Sequence, residues 1–275
     1  TVQIIVPLSS WPEREYRARD TQASYTLADA SAAWALTVLA ADARLGPVDH
    51  YGELWATPLP ATPVEGGSIE GRITDLQARF NLNSVAPRGV RSAPNIALAR
   101  TLFAQAGVPV GLVDVLADSI DRDEISDDGQ SERQRYGRNL RNAPLRRFAD
   151  LLDVPGITEA HVSALMAAVT VLPEATPINA NTAAPALIAA AFPGATRETL
   201  DRAIARRAQQ PFASAGDLAA AIGQPLPDSM FSANTQYFAV DATIRFERAA
   251  HRVQLQIARP PNARPIVISR LIANA

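Results

Sequence analysis

The apolar positions change their spacing twice along the chain. From Glu13 to Arg44 there is no proline or glycine, and Tyr16, Ala23, Leu27, Ala30, Trp34 and Val38 recur at helical intervals. This predicts one long helix, Glu13–Arg44, with a single apolar stripe, roughly 45 Å from end to end and stopped by Gly46-Pro47. His50–Pro63 is proline-rich and reads as a loop around Trp55. Val64–Leu82 reads as two short strands around Gly66-Gly67 and Gly71. From Ala93 to about Asp228 the period is helical throughout, with helices expected at Asn95–Gln105, Val110–Ser119, Leu145–Leu152, Glu159–Val171, Ala184–Ala191, Arg197–Arg207 and Ala215–Ile222. Alternation returns only at the end. Gln236–Glu247 places Phe238, Val240, Ala242, Ile244 and Phe246 on one face and Asp241, Thr243 and Arg245 on the other. Val253, Leu255 and Ile257 alternate with Arg252, Gln254 and Gln256, and Pro265–Leu271 would close a meander.

Strands therefore flank a helical block, as when a helical domain is inserted into a smaller helix-plus-sheet body. The expected division is 1–92 for the first part of that body, 93–228 for the insert and 229–275 for the closing strands. Gly71–Asn83 reads Gly-Arg-Ile-Thr-Asp-Leu-Gln-Ala-Arg-Phe-Asn-Leu-Asn. By itself it is a strand leaving a glycine turn and docking on a core through Ile73, Leu76, Phe80 and Leu82, with Asp75, Asn81 and Asn83 suited to turns and local backbone bonds. Its wording closely resembles a segment of the type II secretion minor pseudopilins of the K class (general secretion pathway protein K), a non-enzymatic family. The inserted helical block agrees with that family's architecture.

The resemblance implies an α+β fold. A pilin-like long N-terminal helix packs on an antiparallel sheet, and a large all-α domain is inserted in it. It also implies a periplasmic protein anchored in the inner membrane by an N-terminal helix, which this chain would lack as a soluble fragment. Assembly with the I-class and J-class minor pseudopilins would use the stripe of Tyr16, Leu27, Trp34 and Val38, with the H class as a further partner. The bulky insert would initiate or cap the filament at its tip.

Within the block, Phe192-Pro193-Gly194-Ala195-Thr196 before Arg197–Arg207, and Leu151–Thr158 before the next helix, resemble helix-hairpin-helix units of DNA-binding proteins. Such units use two glycines so that backbone amides can approach phosphate. Here Thr196 and Thr158 replace the second glycine. A threonine there can cap the following helix with its hydroxyl and occupy the donors that phosphate would need. Arg197, Arg202, Arg206 and Arg207 offer some positive charge. The hairpins are read as degenerate packing units, with nucleic-acid binding as the alternative function.

Chemistry concentrates in one stretch, Asp121–Glu132, which holds six carboxylates and one arginine. Such density repels itself unless a counter-ion or basic neighbours intervene. Asp121, Asp123 and Glu132 match positions 1, 3 and 12 of an EF-hand. Ser126 stands where the loop glycine belongs and Ile125 fills position 5, so it is not an EF-hand. On the residues alone two readings stay open. One is a solvated loop neutralised by Arg133, Arg135, Arg138, Arg141, Arg146 and Arg147; the other is a hard-cation site. The family resemblance implies a calcium loop, matched at Asp121, Asp123, Glu132 and Tyr136. The expected site is one or two calcium ions held by Asp121, Asp123, Asp127, Asp128 and Glu132.

Composition narrows the rest. The 275 residues are 47% apolar, enough for a sizeable core, and a net charge of −2 gives no overall pull toward nucleic acid or anionic lipid. The absence of cysteine excludes disulfides and thiol chemistry. His50, His161 and His251 fall in different predicted elements, and no nucleophile elbow, phosphate loop or histidine metal pair occurs, so no enzyme is expected.

Overall fold

A computed structural model describes residues 28–274 except 65–66, 127–128, 228 and 247–248. The chain divides into two compact units. One takes residues up to 46, 51–74 and 238–275; the other takes 47–50 and 75–237.

The first unit is a helix and a sheet. Helix α1 covers residues 28–42 of the described chain; Tyr16, Ala23 and Leu27 lie outside the described residues. Its buried line is Ala28, Ala32, Ala35 and Leu39, continued by Ser31 and Asp42. The stripe expected from Ala30, Trp34 and Val38 is thus displaced. Ala30 is exposed, and Trp34 and Val38 are half-buried. Small alanines let the helix approach its core closely, and the larger residues flank that contact. Strands β1 (Leu59–Val64), β2 (Gly67–Asp75), β7 (Tyr237–Phe246), β8 (Ala249–Ala258) and β9 (Ile266–Asn274) form one sheet in the order β1-β2-β7-β8-β9. The pairs β1–β2 and β8–β9 are antiparallel. The expected loop over His50–Pro63 is corrected at its end, where Leu59–Val64 is strand. Pro60 and Pro63 are tolerated because β1 lies at the sheet edge.

The closing alternation is realised. Phe238, Val240, Ala242 and Ile244 of β7 join Val253, Leu255 and Ile257 of β8 in the core with Trp55, Ile69 and Ile73. At Gly71 β2 meets β7 closely, and a Cβ there would lie 3.2 Å from Ala242 Cβ and Asp241 O. Arg259 lies over the Phe238 ring at 4.7 Å and donates to Asp42 Oδ2 at 2.6 Å.

The second unit is mainly helical and has its own core. Its helices are α2 (Ala93–Gln105), α3 (Leu112–Ile120), α4 (Glu132–Tyr136), α5 (Glu159–Leu165), α6 (Pro185–Ala191), α7 (Arg197–Gln209) and α8 (Ala215–Ile222). Where the sequence marks a terminus, the helix obeys it. Ser214 and Asp217 form a capping box at α8, and Gly223 at φ +74° ends it. Two expectations are corrected. Leu145–Leu152 is extended backbone followed by a 3-10 turn, Phe148–Asp153, and α5 stops at Leu165 because Val169–Thr170 is a strand, β4. β4 pairs in parallel with β3 (Phe80–Asn81); β5 (Ile178–Asn179) pairs in parallel with β6 (Phe231–Ser232). The unit runs from Asp75 to Tyr237, so its limits lie outside 93 and 228 on both sides.

The polar residues of the Gly71–Asn83 motif do more than turn the chain. Asp75 Oδ1 accepts from Gln77 N at 2.7 Å, and Asn81 Oδ1 accepts from Asn83 N at 3.2 Å, the local bonds expected. Asp75 Oδ2 also accepts from Asn179 Nδ2 (2.9 Å), Thr182 Oγ1 (2.5 Å) and Thr235 Oγ1 (2.6 Å). Asn81 Nδ2 donates to Glu174 O, and Asn83 Nδ2 donates to Leu145 O and Leu172 O. These side chains complete the backbone bonds of distant segments, which buried carbonyls and amides require.

Candidate metal centre

Helix α3 is amphipathic and buries Val113, Leu116, Ala117 and Ile120. Its C-cap is Asp121, where the chain turns extended. The core thus drags Asp121 inside, leaving it 1% exposed. Asp123 Oδ1 accepts from Ile125 N at 2.9 Å, a short Asx turn. Ile125 then bridges Ser131, Gly129 turns the chain at φ +77°, and Glu132 N donates to Glu124 O at 3.0 Å. This small ribbon returns Glu132, 2% exposed, to the start of α4. One carboxylate oxygen from each of Asp121, Asp123 and Glu132 lies within 4.8 Å of the others. Asp127 and Asp128 lie outside the described residues.

The electrostatics of this cluster are unusual. Both oxygens of Asp121 and Oε1 of Glu132 are buried without a hydrogen-bond partner. Burial pushes the Asp121 carboxyl up to about 7, with repulsion from Asp123, Asp118 and Glu132 adding to it and Arg91 opposing it. Burial also raises Glu132, opposed by a bond from Asn142. Two of the arginines that follow the loop are engaged elsewhere. Arg141 and Arg147 pair with Asp150, at 2.8 and 3.2 Å. Arg91 is the cation on this side; it binds Asp118 directly and stands 4.0 Å from Asp121 Oδ2.

Oxygen-only donors, with both oxygens of Asp121 and one of Glu132 buried and unpaired, fit a hard divalent cation such as calcium. Desolvating these carboxylates without a partner costs several kcal/mol, which a bound ion would offset. Around the cluster, Tyr136 OH donates to Asp118 Oδ2 at 2.6 Å, and burial, reinforced by that bond, holds the phenol well above its usual range. Sequence reasoning found Asp121, Asp123 and Glu132 by charge density. It missed Arg91, Asp118 and Asn142. The helical spacing of Asp114 and Asp118 on an otherwise apolar helix was a usable signal for Asp118; Arg91 has no local one.

Helices α5 and α7 are capped by the threonines that precede them. Thr196 Oγ1 accepts from Thr199 N at 3.2 Å, and Thr158 accepts from His161 N while His161 Nδ1 accepts from Thr158 N. Among the arginines of α7, Arg207 donates to Ala180 O at 2.7 Å, Arg197 pairs with Asp201 and Arg206 lies over Phe212. No helix among the described residues is long and apolar enough to cross a membrane.

Comparison with known proteins identifies relatives of this chain. Two family models, both described as "Type II secretion system (T2SS), protein K", match residues 78–174 and 178–241. A curated relative, the type II secretion system protein K of Pseudomonas aeruginosa, is 32% identical over 228 residues, covering 74% of this chain and 66% of the relative. The chain thus spans just under two thirds of that relative's length. Among solved structures, a chain in the crystal structure of the GspK–GspI–GspJ complex from the enterotoxigenic Escherichia coli type 2 secretion system shares the fold, with a TM-score of 0.77 at 20% identity over 95% of this chain and all of that one. The two models together span most of the helical unit and, with the identity to the curated relative, lead to one conclusion: the chain belongs to the type II secretion system protein K family.

Proposed function

We propose that this chain is a minor pseudopilin at the tip of a type II secretion pseudopilus, periplasmic and anchored in the inner membrane in its full-length form. It assembles with I-class and J-class minor pseudopilins, with the H class as a further partner, and performs no catalysis. The observation that carries the reading is the splice. β2 and β7 are neighbours in one sheet, yet the helical unit lies between them in sequence. A subunit that carries a second body larger than its filament-forming body cannot repeat at the spacing of the smaller one. Its place is therefore at an end, where it initiates or caps the filament.

Helix α1 is the assembly element. Trp34 and Val38 flank its buried alanine line and keep part of their apolar surface available to neighbouring helices. Tyr16 and Leu27 belong to the same proposed face. Calcium belongs to Asp121, Asp123 and Glu132, with Asp127 and Asp128 in the proposed set. Its role is structural, supplying positive charge where three carboxylates converge. The two hairpins serve packing: their threonine caps and engaged arginines leave little for a phosphate backbone.

Size-exclusion chromatography with purified I-class and J-class partners tests the assembly. A ternary peak is expected, weakened by Trp34→Asp; separate elution of all three proteins would refute it.

A further inference from the structure

Asn142 lies on the segment that follows α4, in a left-handed conformation at φ +47°. That conformation is rare outside glycine and costs about 1 kcal/mol, less for asparagine than for most side chains. Its side chain is turned into the acidic cluster. Nδ2 donates to Asp123 O at 2.5 Å, and the amide also bonds to the Glu132 carboxylate. These two acceptors claim the amide nitrogen. The amide oxygen is left buried with no partner, as are Asp121 Oδ1, Asp121 Oδ2 and Glu132 Oε1. Four buried, unpartnered oxygens from three side chains therefore belong to one neighbourhood, and one of them is neutral.

Calcium takes about six to eight oxygens and accepts neutral amide carbonyls beside carboxylates. Three carboxylates already carry more charge than a divalent ion neutralises, so a further ligand is better neutral. A half-turn of the Asn142 amide presents Oδ1 to a cation held by Asp123 and Glu132. We infer that Asn142 is a side-chain ligand of the cation site, a role resting on the calcium reading above. The consequence is mechanical. Three residues beyond Asn142, Leu145 exchanges both backbone bonds with the buried Asn83 side chain, at 2.8 Å each way. An ion bound by Asn142 thus fastens the 137–145 crossover at one end while Asn83 fastens it at the other.

The test titrates calcium chloride into the chelator-stripped chain by calorimetry, with melting curves in calcium and in chelator. Asn142→Ala should weaken binding about tenfold or more and shrink the calcium-induced rise in melting temperature. Asn142→Asp restores an oxygen ligand but cannot donate to Asp123 O. It should bind at least as tightly as the unmutated chain and melt lower in chelator, where a fourth carboxylate lacks a cation. If Asn142→Ala binds with unchanged affinity, the assignment is overturned. If Asn142→Asp is as weak as Asn142→Ala, the amide acts only as a donor and the assignment is again overturned. No heat and no shift with the unmutated chain would overturn the calcium reading, and this inference with it.

Discussion

Asp75 and Asp121 are both buried carboxylates in the helical unit, 5% and 1% exposed, yet they sit in opposite circumstances. Asp75 receives four hydrogen bonds and no cation. Asp121 has no hydrogen bond at either oxygen and two acidic neighbours converging on it. Burial raises both, to about 6 and about 7, and the four donors around Asp75 hold its rise in check. The contrast separates a carboxylate that completes the fold from one arranged to receive a ligand. Burial and charge alone do not distinguish them; the donor inventory does.

The largest expected effect is on the satisfied site. Asp75→Ala strands the donors of Gln77, Asn179, Thr182 and Thr235 and should cost about 5 kcal/mol, equally in calcium and in chelator. A calcium-dependent cost in denaturant melts would break the comparison. Next is the unsatisfied site. Stripping calcium from a protein held at about a thousand times its dissociation constant should cost about 4 kcal/mol. In chelator, Asp121→Asn should reverse sign and stabilise by about 2 kcal/mol, because it removes an unpaired buried charge. An unchanged melting temperature on chelation would sink the contrast.

A finer test than either of these is the pH dependence of Asp75 with calcium saturating. Its folded pKa of about 6 lies above the ordinary 3.8, so between those values the native state holds a proton that the unfolded chain has released. Stability from this group is therefore greatest below pH 4 and falls by roughly 3 kcal/mol as pH rises through 6. Asp75→Asn should flatten that slope in urea titrations at pH 4 to 7. An equal slope in the variant would assign the titration elsewhere.

Legibility in the sequence followed locality. Ala215–Ile222 was readable to the residue because Ser214, Asp217 and Gly223 punctuate it. β7 and β8 were readable because their alternation reports a single buried face. The sequence predicts too long an α5 because Ala167–Val171, apolar apart from Thr170, suits a buried helix end as well as a strand. Only Phe80 and Asn81, far away in sequence, make Val169–Thr170 a strand. The cation cluster was half legible: charge density exposed Asp121, Asp123 and Glu132. The orphaned state of the Asp121 oxygens depends on α3 burying its own C-terminus, and the positive φ of Asn142 is set by its place in the crossover. Asp75, Asn81 and Asn83 read as turn formers because their partners lie about 60 to 160 positions onward.

One bond in the buried network changes how the sheet closes. Thr235 Oγ1 meets Asp75 Oδ2 at 2.6 Å across 160 positions of chain. Bringing β2 and β7 together across so long a flexible tether would carry about 3 kcal/mol more entropic cost than across a tight hairpin. Once the helical unit has folded, its two ends are already knotted side by side. The strands then experience a connection no longer than a reverse turn. Loop entropy alone therefore predicts that the helices condense first and the sheet zips afterwards, an order that folding kinetics of β2 and helical-unit variants would test.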